Sequence, residues 1–198
     1  MTDDDVGGGE PTCALPVSQG PSVARRSAFT RATLIRQAGF ILVGKGANAF
    51  SLAAVAEASG VTKGGLLHHF PSRARLIEGM FDAQLERIEV DIDTRLETSG
   101  FSRGCFTRAY IASVLSEAGH ADRPWSVLAR TLIIAPHLEP KWADWLRTRL
   151  LQHAATDGEP LFATRRLMAG GLWIRNAMSS TPPPPDPAAS LLERFTRP

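Results

Sequence analysis

The residues of this chain best suited to bind an anion lie between positions 60 and 77, in the stretch GVTKGGLLHHFPSRARLI. Gly64 and Gly65 follow Lys63 within an otherwise helical pattern, although a glycine costs a helix about 1 kcal/mol relative to alanine. A helix start without side chains can bring its backbone N–H groups close to a phosphate, or it can pack tightly on a neighbouring helix. The glycine pair therefore indicates either an anion-binding helix end or a close helix crossing.

Two arginines follow this stretch at an unfavourable place in a helix. Arg73 and Arg75 fall in the first turn of a helix that Ser72 can cap, where the helix dipole disfavours cations. The fold gains nothing from either charge there. Their position indicates an external anion that is bound by the helix start and by both guanidinium groups.

The two adjacent histidines do not form a metal site by spacing. His68 and His69 lie about 100° apart on a helix, and neither has a His, Asp, Glu or Cys three or four residues away. We expect one histidine to donate a hydrogen bond to a phosphate and the other to be half buried beside Phe70, which anchors the turn in the core. Cys13 and Cys105 show no ligand spacing either, and Cys105 is expected to be a small buried side chain. The sequence predicts no metal and no cofactor.

Composition limits the class of protein. The chain has 198 residues, of which 43% are hydrophobic, and this is enough to bury a core. Its acidic, glycine-rich start is unlike a secretory signal, and no apolar run reaches about 18 residues, so we expect a soluble, cytoplasmic protein with no membrane partner. We find no Ser/His/Asp order, no paired carboxylates beside an activatable group and no cofactor loop, so the sequence does not predict an enzyme.

The charge is unevenly distributed along the chain. Residues 1–20 carry a net charge of −4, residues 21–80 carry +6, and residues 81–198 are neutral. A basic block on a neutral body is typical of a module that binds a polyanion, although a solvated basic face has the same composition.

The elements that would position these residues form a helix-turn-helix pattern. Ser51 can cap one short helix, Gly60 can adopt the left-handed conformation of a tight turn, and Thr62 can cap a second short helix. Ala56 is small enough for the two helices to cross closely, and Leu66 can plug the second helix against the first. A short helix held in this way can present its outer face to a DNA major groove.

Helical periodicity continues on both sides of this motif. Thr30 can cap a first helix that ends at Gly44 and Gly46, and Ser72 begins a long fourth helix that Gly100 ends. The apolar side of the first helix comprises Leu34, Ile35, Ala38, Ile41 and Leu42, and that of the fourth comprises Leu76, Ile77, Met80, Phe81, Gln84, Leu85, Ile88, Ile92 and Leu96. Further helices are predicted over about 102–118, 123–135, 139–155 and 159–179. The fold class is therefore all-α.

The ends of the chain lack this periodicity. Residues 1–26 are rich in Gly, Pro, Ser and Asp and are expected to be a disordered arm. Residues 181–188, TPPPPDPA, are expected to form an extended polyproline linker before a weak terminal helix near 190–195.

Residues 28–82 resemble the N-terminal domain of the TetR family of bacterial transcriptional regulators, because the run G-V-T-K-G…L-x-H-H-F-P-S-R occurs as a unit. The resemblance implies a homodimer whose third helix enters the major groove of double-stranded DNA, and a C-terminal domain for ligand binding and dimerisation. Leu67 departs from the family at a position that commonly holds a phosphate-contacting tyrosine, and Gly65 replaces a commoner Ala, Ser or Thr. The predicted DNA-binding residues are Ser51, Thr62, Lys63, Gly64, Gly65, Leu67, His68 and Arg73.

Two sites are predicted in the C-terminal half. A heptad-like seam of mostly small residues on the last long helix, with tryptophans of the preceding helix, indicates either a dimer interface or internal core. The predicted interface residues are Trp142, Trp145, Leu167, Gly170, Ile174 and Ala177. A ligand pocket between helices is predicted at Phe106, Tyr110, Trp125, Leu128, Leu132, His137 and Met168, with Phe101 as a further member, although core packing explains most of them equally well.

The sequence thus predicts four segments: an arm at 1–26, a three-helix DNA-binding domain at 27–71, a helical regulatory and dimerisation domain at 72–180, and a proline-rich tail at 181–198. The expected function is that of a one-component regulator, a repressor that binds a palindromic operator as a homodimer and is released by a small-molecule effector. The alternative is a helical ligand sensor or protein adaptor that has lost sequence-specific DNA binding, which Leu67 makes conceivable.

Overall fold

The computed structural model of the chain describes residues 23–100, 102–117, 122–179 and 187–196. Within these residues all regular structure is helical, which confirms the all-α prediction. The α-helices are α1 (Val23–Gly44), α2 (Leu52–Ala58), α3 (Lys63–His69), α4 (Arg73–Ser99), α5 (Cys105–Ser116), α6 (Pro124–Ile134), α7 (Glu139–Gln152), α8 (Ala154–Asp157), α9 (Pro160–Met178) and α10 (Pro187–Thr196). Short 3-10 turns occupy Ala47–Ala49 and Pro136–Leu138.

Helices α2 and α3 form the predicted helix-turn-helix with the predicted caps. The Ser51 hydroxyl accepts a hydrogen bond from the backbone N–H three residues later at 3.1 Å, and the Thr62 hydroxyl does the same at 3.0 Å. Gly60 has a φ of +67°, the left-handed conformation that the tight turn requires. The Val61 N–H donates to the Ala56 carbonyl at 3.0 Å, which closes the turn between the two helices.

Helix α1 begins earlier than predicted. It starts at Val23, and the Thr30 hydroxyl donates to the Arg26 carbonyl at 3.0 Å instead of capping the helix. Residues 23–26, assigned to the arm from sequence, are helical because no helix breaker separates them from the periodic segment. The predicted apolar positions of α1 are all buried, and residues 1–22 lie outside the described residues.

Helix α4 connects the N-terminal helices to the rest of the molecule. The Ser72 hydroxyl caps it by accepting from the Arg75 N–H at 3.2 Å, and Gly100 ends it with a φ of +69°. Every residue of its predicted apolar side is buried, including Gln84. Because α4 packs against α1 and also against α5 and α6, a shift of α4 would change the packing in both regions.

The C-terminal helices differ from the prediction in two places. The helix expected over 139–155 stops at Gln152, and His153 separates it from the short α8. Pro187 and Ala188, assigned to the extended linker, begin α10, consistent with the preference of proline for a first helical turn. Residues 181–186 lie outside the described residues. Among the described helices, none combines the length and apolarity needed to cross a lipid bilayer.

Candidate functional site

The outer face of α3 and the chain before it are exposed. Thr62, Lys63, Gly64 and His68 all lie on the surface of the described chain. A Cβ atom at Gly64 would meet nothing nearer than the Thr62 hydroxyl at 4.0 Å. The close-packing interpretation of Gly64 is therefore wrong, because no neighbouring helix approaches it. The N-terminal end of α3 instead offers an open surface with a lysine beside it.

The remaining predicted residues of α3 divide between surface and core. Leu66 is fully buried, Leu67 is half buried and His68 is exposed. His69 is half buried, with its ring 5.4 Å from that of His68, so the two histidines divide between surface and partly buried positions as expected. Phe70 is buried and anchors the turn after α3, as predicted.

The two arginines at the start of α4 have different partners. The Arg73 side chain is exposed, and its guanidinium carbon lies 5.1 Å from the centre of the Phe50 ring, so a stacking contact orients it. Arg75 forms an ion pair with Glu78 at 2.7 Å. The expectation that both guanidinium groups bind one external anion stays a prediction, and Arg75 has an acidic partner one turn along α4 that Arg73 does not share.

A close contact fixes the end of α3 against α4. A Cβ atom at Gly79 would lie 2.7 Å from Phe70 Cε1, so only glycine leaves room for this ring. The Arg31 guanidinium of α1 lies 5.0 Å from the centre of the same ring. Sequence reasoning missed Gly79 because it appears as an isolated glycine within a long helix. The contact joins α1, α3 and α4 at one point.

The structure does not assemble the predicted ligand pocket. Phe106, Tyr110, Trp125 and Leu128 are buried among the core helices, and Leu132 is half buried at the edge of the core. His137 and Met168 are exposed on other parts of the surface, which corrects their assignment to the same pocket. Phe101 lies outside the described residues.

A groove of about 460 Å³ lies instead between α5, α7 and α9. Of the predicted pocket residues, only Tyr110 lines it. Its walls include Trp142, Leu146, Leu150 and Ile174, and three further residues, Tyr110, Arg166 and Trp173, bring polar groups to it. Sequence reasoning missed Arg166 and Trp173 because an arginine and a tryptophan on a long amphipathic helix carry no sign of which neighbouring helix they face.

The predicted dimer residues lie mostly on one exposed face of α7 and α9. Leu167 is 77% exposed and Ile174 is 45% exposed, while Gly170, Trp142 and Trp145 are half buried. The rings of the two tryptophans stack with centroids 5.0 Å apart. Ala177 is 1% exposed and packs inside the chain, so its assignment to the interface is corrected. The residues of the seam are thus exposed in the middle of α9 and buried near its C-terminal end.

A buried carboxylate, also missed from the sequence, caps α5 from a distant part of the chain. The first turn of α5 follows Gly104, which has no side chain to cap it. Asp157 of α8 accepts hydrogen bonds from the backbone N–H groups of Phe106 at 3.3 Å and Thr107 at 2.8 Å. The Thr107 and Thr156 hydroxyls also donate to Asp157, at 2.5 and 2.8 Å. A cap of this kind depends on residues about fifty positions apart, so no local pattern predicts it.

Cys105 lies beside this cap and is fully buried, as predicted. Its Sγ lies 3.9 Å from His153 Nδ1 and 3.9 Å from Asp157 Oδ2, and within the described residues these three side chains could offer three ligand atoms to a metal ion. Burial, followed by the charge of Arg149, lowers the pKa of His153, so its imidazole is neutral near pH 7. The Asp157 oxygens are already occupied by donors from α5 and α8, which is the arrangement of a helix cap.

Comparisons with known proteins agree on one fold. Residues 35–80 match the family model of bacterial regulatory proteins of the tetR family, and residues 104–197 match the tetracyclin repressor-like C-terminal domain. The multidrug binding protein EbrR, solved with imidazole, is 18% identical with a TM-score of 0.58, covering 86% of this chain and 92% of that one. The ketosteroid regulator KstR2 of Mycobacterium tuberculosis is 16% identical with a TM-score of 0.55, covering 83% and 90%.

A third solved structure, of a TetR-family regulator from Rhodococcus sp., is 17% identical with a TM-score of 0.58, covering 85% of this chain and 96% of that one. No curated protein sequence is significantly similar to this chain. At these identities the solved structures establish the fold alone.

Proposed function

The chain belongs to the TetR family of bacterial regulatory proteins, and from this premise we propose that it is a one-component transcriptional repressor. It binds a palindromic operator as a homodimer and is released from the DNA by a small-molecule effector. The observation that carries the proposal is the outer face of α3, where Lys63 and His68 are exposed beside the open helix end at Gly64.

The chemistry of this face suits a phosphate backbone and the edges of bases. Backbone N–H groups at an open helix end bind phosphate oxygens, and the Lys63 ammonium adds a positive charge. Arg73 stands at the start of the next helix with its guanidinium steadied by Phe50, and this suits a contact with the DNA backbone. Thr62 uses its hydroxyl oxygen to cap α3, yet its O–H remains a donor for a phosphate.

Release by an effector requires a physical link between the two regions, and α4 supplies one. It carries Gly79 against the end of α3 and packs on α5 and α6. An effector that binds one arrangement of these helices 100-fold more tightly than the other changes the operator affinity by up to about 2.7 kcal/mol. The separation of the two recognition helices in the dimer is the quantity that α4 would change.

Selection of bound duplexes from a random DNA pool at about 150 mM salt tests the proposal, because this salt concentration weakens non-specific attraction to phosphate. We expect an enriched palindrome whose half-sites lie about one helical turn apart. If folded protein enriches no motif, the chain by itself does not bind DNA sequence-specifically. The second candidate, a helical sensor or adaptor, then takes its place, and the half-buried Leu67 in α3 is the feature that favours it.

The dimer has its own test at Leu167. Because this side chain is 77% exposed, Leu167→Glu leaves the folded chain intact but places two charges in the proposed interface. We expect sedimentation to show a dimer for the parent protein and a monomer for the variant, whereas the control Thr94→Glu, on the exposed side of α4, stays dimeric. A monomeric parent protein, or a dimeric Leu167→Glu variant, would contradict the assignment.

A further inference from the structure

Each polar side chain that lines the groove between α5, α7 and α9 carries a hydrogen-bond donor. The Trp173 side chain is 4% exposed, and its indole N–H faces the Tyr110 hydroxyl without forming a well-aligned hydrogen bond to it. Tyr110 is 3% exposed on the same groove, and burial raises the pKa of its hydroxyl well above the ordinary value, so the proton stays on. The Arg166 side chain, 12% exposed, adds a guanidinium group. Because buried donors are stabilised by an acceptor, the groove favours a ligand that accepts hydrogen bonds.

The charge of Arg166 is only partly balanced within the chain. Its nearest carboxylate oxygen, on Asp157, lies 3.9 Å away and already accepts hydrogen bonds from Thr107. One guanidinium nitrogen of Arg166 donates to the Thr107 hydroxyl at 2.6 Å. Burial lowers the pKa of Arg166, while the nearby Asp157 carboxylate acts in the opposite direction.

Arg149 is an arginine of the C-terminal helices whose positive charge is balanced by carboxylates of the chain. Its guanidinium forms an ion pair with Asp93 and lies 3.7 Å from a Glu89 oxygen. Two carboxylates therefore face Arg149, whereas one shared and more distant carboxylate faces Arg166. The difference leaves Arg166, among the described residues that line this groove, as a largely buried cation with capacity for a further anion.

The rest of the groove is apolar and largely aromatic. The Trp142 and Trp173 rings lie with centroids 5.7 Å apart, and Leu146 and Leu150 continue the wall along α7. Gly171 on α9 has no atom within 4 Å of where a Cβ would stand, so the groove stays open beside these rings. Such walls favour a flat hydrocarbon body.

We propose that this groove binds an aromatic carboxylate, with its anionic group at Arg166, Tyr110 and Trp173 and its ring against Trp142 and the apolar side chains of α7. The inference deepens the proposed function, on which it rests, by naming the chemical class of the effector. Four residues of the proposed dimer surface, Trp142, Leu167, Gly170 and Ile174, also line this groove, while the donor groups are more deeply buried. A second copy would therefore close the groove over a bound ligand, which would contact α7 and α9 together.

Isothermal titration calorimetry with the full chain and no DNA tests the site. The probes are three acids, benzoate, 3-phenylpropionate and 2-naphthoate, each paired with the primary alcohol of the same skeleton. We expect at least one acid to bind at least tenfold more tightly than its alcohol, because only the acid satisfies the charge of Arg166. If no acid of the series binds, or if the alcohols bind equally well, the proposal is overturned.

Substitutions test whether the preference for the acid depends on Arg166. Arg166→Gln keeps a donor for Thr107 but removes the charge, so we expect the acid to lose at least tenfold in affinity and the alcohol to lose little. The control is Arg147→Gln, which removes an exposed charge on α7 that pairs with Asp144, and it should retain the preference for the acid. A preference for the acid that survives Arg166→Gln overturns the proposal.

Trp173→Phe decides the matter if circular dichroism shows that Arg166→Gln does not fold. It keeps an aromatic ring but removes the indole N–H, and we expect about a fivefold loss in affinity for the acid. Unchanged affinity would overturn the assignment of Trp173 to the site.

The binding site and the proposed function can fail separately. Binding of an acid without release of operator DNA would confirm the site but refute its role as the effector site. Failure to select an operator would refute the proposed function and leave the calorimetric result unchanged.

Discussion

The N-terminal and C-terminal parts of this chain place their charges in opposite ways. Around α3 the cationic side chains Lys63 and Arg73 stand on the surface. In the C-terminal helices three largely buried groups interact across helices: Asp157 and Arg166 hydrogen-bond with α5, and Arg149 pairs with Asp93 of α4. Surface cations contribute little to folding, so they are free to serve a partner, whereas each buried charge must be balanced within the chain or by a ligand.

The largest expected effect concerns the buried side of this comparison. Asp157→Ala removes the cap of α5 and leaves Arg166 without its nearest carboxylate. We expect the free energy of unfolding to fall by about 3–5 kcal/mol, the usual cost of removing one partner of a buried pair, as measured by urea denaturation. The control Asp144→Ala removes an exposed carboxylate paired with Arg147 and should cost at most about 0.5 kcal/mol. Equal losses in the two variants would contradict the burial argument.

The second prediction tests the junction between the two parts. Gly79→Ala forces a Cβ to within 2.7 Å of the Phe70 ring, which is buried and cannot move into solvent. Overpacking of this kind costs about 1–3 kcal/mol, and we expect DNA binding to weaken as well because the end of α3 shifts. Gly171→Ala on α9 is the control, since a Cβ there meets no atom within 4 Å. A Gly79→Ala variant as stable as the parent protein would mean that α3 and α4 are not held together at this contact.

The two regions also differ in what the sequence could predict. Ser51, Thr62 and Ser72 cap their helices through backbone groups three residues away, so a local pattern was enough to place α2, α3 and the start of α4. The same locality fixed the exposed face of α3. The caps and charges of the C-terminal helices come from far along the chain, as Asp157 and Thr107 show.

For the same reason the candidate sites of the C-terminal helices were predicted less well than the face of α3. The predicted pocket failed because hydrophobic periodicity identifies buried residues but not which of them border an open space: Leu128 is core, while His137 is surface. Of the predicted seam on α9, Leu167 and Ile174 are exposed, whereas Ala177 is buried. The same face of α9 is covered by other helices only near its C-terminal end. Such details depend on tertiary packing, which local spacing does not encode.

The third prediction separates the two arginines at the start of α4. If Arg73 makes the proposed phosphate contact, Arg73→Ala should weaken DNA binding by about 1.5 kcal/mol for all sequences, roughly tenfold. The slope of log affinity against log salt should become shallower by about one unit. Arg75→Ala is the matched control, because Glu78 already neutralises Arg75, and it should change the slope by much less. Equal slopes for both variants in a titration of labelled duplex would refute the distinction.

The smallest expected effect is at Gly64, where the needs of folding and of DNA binding are expected to differ. Alanine is favoured over glycine within a helix by about 1 kcal/mol, and a Cβ at Gly64 meets nothing nearer than the Thr62 hydroxyl at 4.0 Å. Gly64→Ala should therefore stabilise the fold slightly, raising Tm by a few degrees at most, while DNA binding weakens several-fold because the added methyl group keeps the backbone from a phosphate. Gly44→Ala, with no atom near its Cβ and outside α3, controls for helix propensity alone. If Gly64→Ala binds DNA as tightly as the parent protein, then the missing side chain serves neither the fold nor the DNA contact, and the exposed start of α3 loses its assigned role.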